Sequence, residues 1–381
     1  MLTYDAVVIG AGYIGCSAAY HLTRAGLRTA MIDRGGIGAG ASAANYGNIQ
    51  VQDAELDHSL PMIRAGYACF ETLEEELGSP VGLKPLGGLL LIENESQWRT
   101  MAARLPPLHA AGIRAEMVPA EHLPELEPLL DPTTVLGACY HEHEGQVYPF
   151  SLLWAFVRRG LERGLTLHLG VEVTGMDISN GRVQRLHTSQ GDFSAGVVVL
   201  CTGAWTSLLG RAVGRDWDIP HVHGQALVTE SAPPGLRLRN HIASAAFFEE
   251  AHGDDDAGGE HAVLAISQTG DGHFLLGEAA RNTADRGKAA TPAGQAAIAR
   301  VAGRHFPALR KLRVLRGWAA PVAYTHDGLP YFGPVADIEG LILATAFKST
   351  VIVTPLAGRT IAQLVVDGRS DLDLSSFSPD R

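Results

Sequence analysis

Residues Tyr4 to Asp33 leave this chain few folds to choose from. They read as strand, glycine turn, helix and strand. Tyr4-Asp5-Ala6-Val7-Val8-Ile9 is a short apolar run of the kind that forms a buried parallel strand. It enters Gly10-Ala11-Gly12-Tyr13-Ile14-Gly15, a G-x-G-x-x-G turn. From Ile14 to Ala25 the residues are small and helix-compatible, and Gly26 is placed to close that helix. Leu27 to Ile32 is a second apolar run, ending at Asp33. Gly10 permits the tight turn, Gly12 lets the backbone approach a pyrophosphate, and Gly15 lets helix and strand pack closely. The helix N-terminus around Ile14 presents free N–H groups and a partial positive charge to phosphates. Asp33, 18 residues past Gly15, is placed to accept hydrogen bonds from a ribose hydroxyl. The pattern predicts a dinucleotide site and leaves FAD and NAD both open.

A length of 381 residues exceeds one ordinary core, so two domains are expected. The apolar and charged fractions, 46% and 19%, are those of a folded globular chain. A formal net charge of −11 argues against a nucleic-acid surface. Cys16, Cys69, Cys139 and Cys201 show neither metal-type spacing nor a redox pair, so they read as reduced structural thiols in a cytoplasmic protein, and no metal site is expected. The apolar N-terminus lacks a basic flank and is broken by the motif glycines, so it reads as core rather than as a targeting segment.

A second glycine-dense loop, Arg34 to Ile49, follows at once. Its small residues and Ser42 suit the far side of a long cofactor, and Ala41-Ser42-Ala43-Ala44 reads as a helix start capped by Ser42. An amphipathic helix is expected over 59–77 and a helix over 96–111, with strands over 87–92 and 135–141. A new unit begins at Gly145, with a helix over 150–164. Strands on either side of Asn180-Gly181 form a hairpin, and the buried strand 196–200 returns the chain to the first sheet. Residues 220–281 are β-rich, and the acidic run Glu249–Asp256 reads as a solvated loop rather than a metal site. Near the C-terminus a strand over 341–346, a polar turn and a helix over 351–367 point backbone N–H groups at something negative. In a flavoprotein that is the flavin N1–C2=O edge.

Six segments together carry a family resemblance: Gly10–Gly15; Gly38–Ile49; Gly145–Pro149; Val173 with Gly203-Ala204-Trp205; Gly224-Gln225; and Asp327–Pro330 with Pro355 and Gly358. Nearly end to end, the chain resembles the FAD-dependent amine and amino-acid oxidoreductases that include glycine oxidase, D-amino-acid oxidase and sarcosine oxidase. The resemblance implies an α/β FAD-binding Rossmann-type domain (1–83, 145–215 and 312–381). It also implies a second α+β substrate domain on a mostly antiparallel sheet (84–144 and 216–311). It implies that Gly10, Gly12, Ile14 and Gly15 hold the FAD pyrophosphate, and Asp33 and Arg34 the adenosine ribose. Ala41, Ser42, Asn45, Tyr46, Gly47 and Asn48 run along the pyrophosphate and flavin. Val173, Gly203 and Trp205 enclose the adenine side. Phe347, Lys348, Ser349, Thr350 and Val351 face the flavin pyrimidine ring.

The chain departs from its relatives where they bind a substrate carboxylate. Ala320-Pro321 stands where an Arg-Pro is common, and Lys348 where another arginine is common. Lysine offers a point charge rather than a bidentate fork. The segment around Tyr324 lacks the cysteine that attaches FAD in sarcosine-oxidase-like members, so the FAD is expected to be non-covalent. The expected reaction is oxidation of the C–N bond of an amino acid or secondary amine, by hydride transfer to flavin N5. O2, a quinone or a partner subunit then accepts the electrons. Lys348, Tyr324, His326, His223 and Glu249 or Glu250 are the candidate catalytic residues, although each histidine also reads as an ordinary hydrogen-bonded loop residue. The competing reading is a flavin subunit that passes electrons within a hetero-oligomeric dehydrogenase, held peripherally at the inner membrane face through its partners.

Overall fold

The computed structural model describes residues 1–52, 54–250 and 261–381, without the side chains of Glu250 and His261. Most of the acidic run expected as a solvated loop therefore lies outside the described residues.

The opening motif forms as expected: strand Leu2–Ile9, helix Tyr13–Arg24 and strand Thr29–Asp33. Leu2–Ile9 lies at the centre of the first sheet, parallel to Thr29–Asp33 on one side and to Phe193–Leu200 on the other. The full order is Tyr331–Pro334, Leu341–Thr345, Phe193–Leu200, Leu2–Ile9, Thr29–Asp33, Thr166–Leu169. A hairpin, Val173–Ser179 with Arg182–Thr188, hangs from Phe193–Leu200. Its turn holds Asn180 at φ 53° and Gly181 at φ 67°, the left-handed values that an Asn-Gly pair accepts readily.

Helix Thr350–Asp367 packs across helix Tyr13–Arg24. Close approach depends on Gly358, where a Cβ would stand 2.2 Å from Ser17 Oγ and 2.6 Å from its carbonyl carbon. The central strands are buried on both faces, as parallel strands covered on both sides must be.

The second sheet runs Val314–Ala323, His221–Ser231, His273–Asn282, His261–Gln268, Asn240–Ser244, Lys84–Ile92, Gly137–Gln146, Asn48–Ile49. Its pairings are antiparallel except Asn240–Ser244 with Lys84–Ile92. Helix Pro292–His305 covers one face, over Leu89, Ile242, Leu264 and Phe274. The opposite face, including Leu90 and Ala243, joins the apolar core that holds the glycine-turn helix.

Two segments pair outside their expected unit. Val314–Ala323 was expected with the FAD-binding pieces from 312 onward, but it pairs with His221–Ser231 in the second sheet. Asn48–Ile49, expected in the first unit, pairs with Gly145-Gln146 in the second sheet. Neither segment has a strong alternation of its own, and long-range pairing decides where it sits. Strand Asn240–Ser244, buried at every position, was not anticipated because five residues carry too little periodicity.

Candidate active site

The glycine turn is built as its spacing requires. Gly10 has φ +106°, and a Cβ there would lie 2.4 Å from the carbonyl oxygen of Cys201. A Cβ on Gly15 would lie 1.9 Å from the carbonyl oxygen of Gly10, so only glycine lets helix and strand meet here. Asp33 braces the turn: Oδ2 accepts from the Ala11 N–H at 2.8 Å and Oδ1 from the Gly35 N–H at 2.7 Å. A carboxylate has about four lone-pair sites, so acceptor capacity remains for a ribose hydroxyl.

Ser42 does not cap a helix of its own. Residues Ala41–Ala44 form a 3-10 turn with Gly40 at its N-cap and no side-chain cap. Instead, Ser42 Oγ accepts from the Tyr13 N–H at 3.1 Å, at the N-terminus of the glycine-turn helix. The first turn of that helix carries no acidic side chain, which suits an anion at its N-terminus.

The two glycine loops, the return strand and the second sheet enclose a cavity of about 470 Å³. One wall is Gly12, Tyr13, Ile14, Ala41 and Ser42, and another is Thr202 to Trp205. The C-terminal turn contributes Thr345 to Lys348 and Thr350. The second sheet and its loops contribute Leu90, Gly224 to Ala226, Ala243, Phe247, Phe248, Glu278 and Trp318 to this wall. Trp318 Nε1 donates to the Ala44 carbonyl at 3.2 Å and ties the second sheet to the second loop.

The profile of the FAD dependent oxidoreductase family (DAO) matches residues 5–364. The chain belongs to this family. Glycine oxidase of Geobacillus kaustophilus is 26% identical over 386 residues, covering 98% of this chain and 96% of that enzyme. Its crystal structure superposes with a TM-score of 0.89 at 25% identity, covering 100% and 99% of the two chains. Sarcosine oxidase subunit beta of Rhodobacter capsulatus is 24% identical, over 97% of this chain and 86% of its own length. The fold is also that of the L-proline dehydrogenase of P. horikoshii, with a TM-score of 0.87 at 24% identity over 99% and 97% of the two chains.

The residues present fit an FAD. The turn at Gly12, the helix N-terminus and the carboxylate of Asp33 meet at the C-terminal ends of the neighbouring strands Leu2–Ile9 and Thr29–Asp33. Arg34 stacks 4.1 Å above the Trp205 ring and stands 3.8 Å from Glu172, at the Asp33 end. Of the expected loop residues, Ala41, Ser42, Asn45, Tyr46 and Asn48 line the cavity. Gly47 shapes it from behind, since at φ +79° its Cβ would stand 2.0 Å from the Val147 carbonyl oxygen. Asn48 Oδ1 is held by Ser267 Oγ at 2.7 Å. The Tyr46 hydroxyl is buried against Gly277, and burial, with the Glu278 carboxylate second, holds its pKa well above the usual phenol value. Gly203 and Trp205 line the cavity too, whereas Val173 lies in the hairpin that follows the Asp33 end of the sheet, outside the lining. At the C-terminal turn Phe347, Lys348 and Thr350 reach the cavity, and Ser349 and Val351 do not line it.

The structure separates the expected catalytic residues. Among the described residues only Lys348 of this set lines the cavity, and its Nζ lies 2.7 Å from Glu55 Oε1. His223 is fully buried and holds the Gly287 carbonyl at 3.0 Å, away from the lining. His326 is 69% exposed, 3.5 Å from Asp218, with Tyr324 beside it in an edge-on ring contact. None of these three lines the cavity. The side chains of strand His221–Ser231 alternate, and that alternation sends His223 away from the cavity. Glu249 is bound by Gln97 Nε2 at 2.9 Å and Asn94 Nδ2 at 3.4 Å, at the start of helix Glu95–Ala110.

Gln50, Gln52 and Glu278 line the cavity and were missed. Gln50 and Gln52 follow directly on the second glycine loop, and that adjacency was the available signal. Among the cysteines, Cys16, Cys69 and Cys139 are buried, Cys201 lines the cavity, and all four are free. Burial pushes the Cys139 thiol up to about 12, and raises the thiols of Cys16 and Cys201 further.

Proposed function

We propose that this FAD-dependent oxidoreductase oxidises the C–N bond of a small amino acid or secondary amine. The observation that carries this reading is that one cavity is lined both by the glycine turn and by the second sheet. A substrate in that cavity lies beside the cofactor, within a wall of Leu90, Ala243, Phe247, Phe248 and Trp318. The similarity to a glycine oxidase and to a sarcosine oxidase subunit supports the substrate class.

Bound FAD supplies a two-electron acceptor for the hydride released from the carbon next to nitrogen. The chain's own groups then have three tasks. The wall that holds Phe247, Phe248 and Trp318 offers an apolar surface against which a substrate is oriented, and orientation supplies part of the rate advantage of a positioned reaction. The N-terminus of helix Thr350–Asp367 places backbone dipoles at the cavity edge beside Phe347 and Lys348, where they favour negative charge. Tyr46, held neutral by burial, offers a hydroxyl rather than a base at the cavity.

The FAD is read as non-covalent. Among the described residues the lining contains no histidine and one cysteine, Cys201, whose thiol pKa is raised by desolvation, which disfavours the nucleophilic thiolate. Anaerobic titration of the purified yellow protein with glycine, sarcosine, proline and simple amines tests the reading. Bleaching of the flavin band by an amino acid or amine is expected, and no bleaching by any of them would overturn it. Hydrogen peroxide yield from the isolated chain separates an oxidase from a dehydrogenase that needs another acceptor.

A further inference from the structure

We propose that Gln52 holds the carboxylate–amine edge of the substrate through its side-chain amide, an assignment that rests on the amino-acid reading above. Gln52 is 1% exposed, yet it lines the cavity. Neither Nε2 nor Oε1 has a hydrogen-bond partner among the described residues. A buried amide without partners is costly, and such groups in native proteins call for an explanation.

The backbone that carries this amide is held on both its polar groups. Its backbone N–H donates to Glu144 Oε1 at 2.9 Å, and the neighbouring Val51 N–H donates to the same oxygen at 3.1 Å. Its carbonyl accepts from Arg104 Nη2 at 3.0 Å, and the same guanidinium reaches the Ala54 carbonyl at 2.8 Å. Glu144 is itself fully buried, and its other oxygen meets the His241 imidazole. The backbone of this segment is therefore pinned by Glu144 and by Arg104, which fixes where the Gln52 side chain starts at the cavity lining.

The charges around Gln52 select the ligand. Arg104 and Glu144 hold the segment with opposite signs, so their charges together favour neither a bare anion nor a bare cation at Gln52. Lys348, the one cationic side chain among the described lining residues, is engaged by Glu55. An amide offers a donor and an acceptor side by side. Its complement is a carboxylate oxygen next to an amine N–H, which is the edge of an α-amino acid. Nε2 donates to the carboxylate and Oε1 accepts from the amine.

The test uses the FAD-loaded full chain with anthranilate, an amino-carboxylate without an oxidisable α-carbon, and aniline as its counterpart lacking the carboxylate. Shifts of the flavin band report binding. Gln52→Met keeps the volume and removes both polar atoms, and it is expected to weaken anthranilate about tenfold or more. Gln52→Glu keeps an acceptor and adds a charge that repels the carboxylate, so it weakens anthranilate further. Aniline binding changes less than about threefold in either variant. Gln52→Met also leaves the thermal midpoint unchanged or higher, since it removes an unpaired buried amide. Unchanged anthranilate binding in Gln52→Met, equal losses for both ligands, or a lowered midpoint accompanying the loss would overturn the assignment. So would wild-type protein that binds anthranilate no better than aniline. Anthranilate discrimination that depends on Gln52, in a protein whose flavin no amine or amino acid bleaches, would sink the oxidation reading and leave the Gln52 site standing.

Discussion

Lys348 and Glu55 face each other at 2.7 Å across the cavity edge, joining the C-terminal turn to the loop that leaves the second glycine stretch. Both side chains are more than one-third exposed, so the pair adds at most about 1 kcal/mol to stability. Its consequence is for the ligand, because the lysine charge is already matched. Glu55→Gln is expected to strengthen binding of small carboxylates severalfold, and the gain disappears in Glu55→Gln/Lys348→Met. Lys348→Met alone changes that affinity less than about threefold. Flavin difference spectra on the four proteins measure all three comparisons.

Ser42 reaches back to cap the helix on which the cofactor turn depends. Ser42→Ala removes the acceptor for the Tyr13 N–H and is expected to cost about 1 kcal/mol of stability. The helix end also loses its alignment toward the pyrophosphate, so the dissociation constant for FAD rises severalfold. Chemical denaturation and fluorescence titration of the FAD-free protein follow the two effects separately.

Ala346 stands at the cavity with φ 59°, in the left-handed region that disfavours a Cβ. The penalty for a non-glycine residue there is about 1–2 kcal/mol. Ala346→Gly should therefore raise stability by about 1 kcal/mol once the extra freedom of glycine in the unfolded chain is subtracted. A lower denaturation midpoint in the glycine variant would contradict this.

His21 sits within the glycine-turn helix, 4% exposed. Burial first, then the Arg359 and Arg24 charges, hold its pKa well below the ordinary value of about 6.5. Glu76, 3.8 Å away, does not reverse this, because Arg24 at 2.6 Å and Arg359 already occupy it. In the fold His21 stays neutral, whereas the unfolded chain takes up a proton below about pH 6.5. Its contribution is present in full above that pH and is lost as pH falls toward the depressed folded value. The denaturation midpoint should fall between pH 7 and 5, and His21→Gln should flatten that slope.

Local signals made the cofactor half of the site legible. Gly10, Gly12, Gly15 and Asp33 act through the backbone within thirty residues, so spacing alone conveys their geometry. The hairpin at Asn180-Gly181 and helix Thr350–Asp367 were readable for the same reason. The substrate half was not readable in this way. His223, Tyr324 and His326 carry suitable chemistry, but which face of a strand or loop they occupy depends on pairing with distant segments. Gln52, Glu278 and Trp318 line the cavity because the second sheet brings together strands separated by more than two hundred residues.

The order of residues by itself determined the dinucleotide turn, the family it belongs to and the need for a second domain. These follow from local backbone rules, in which a glycine or a carboxylate at one spacing has one use. Only the tertiary structure decided that Lys348 is matched by Glu55, that Ser42 caps a helix thirty residues away, and that the buried Gln52 lines the cavity. Charge pairing and burial are properties of neighbours in space, and no spacing along the chain encodes them.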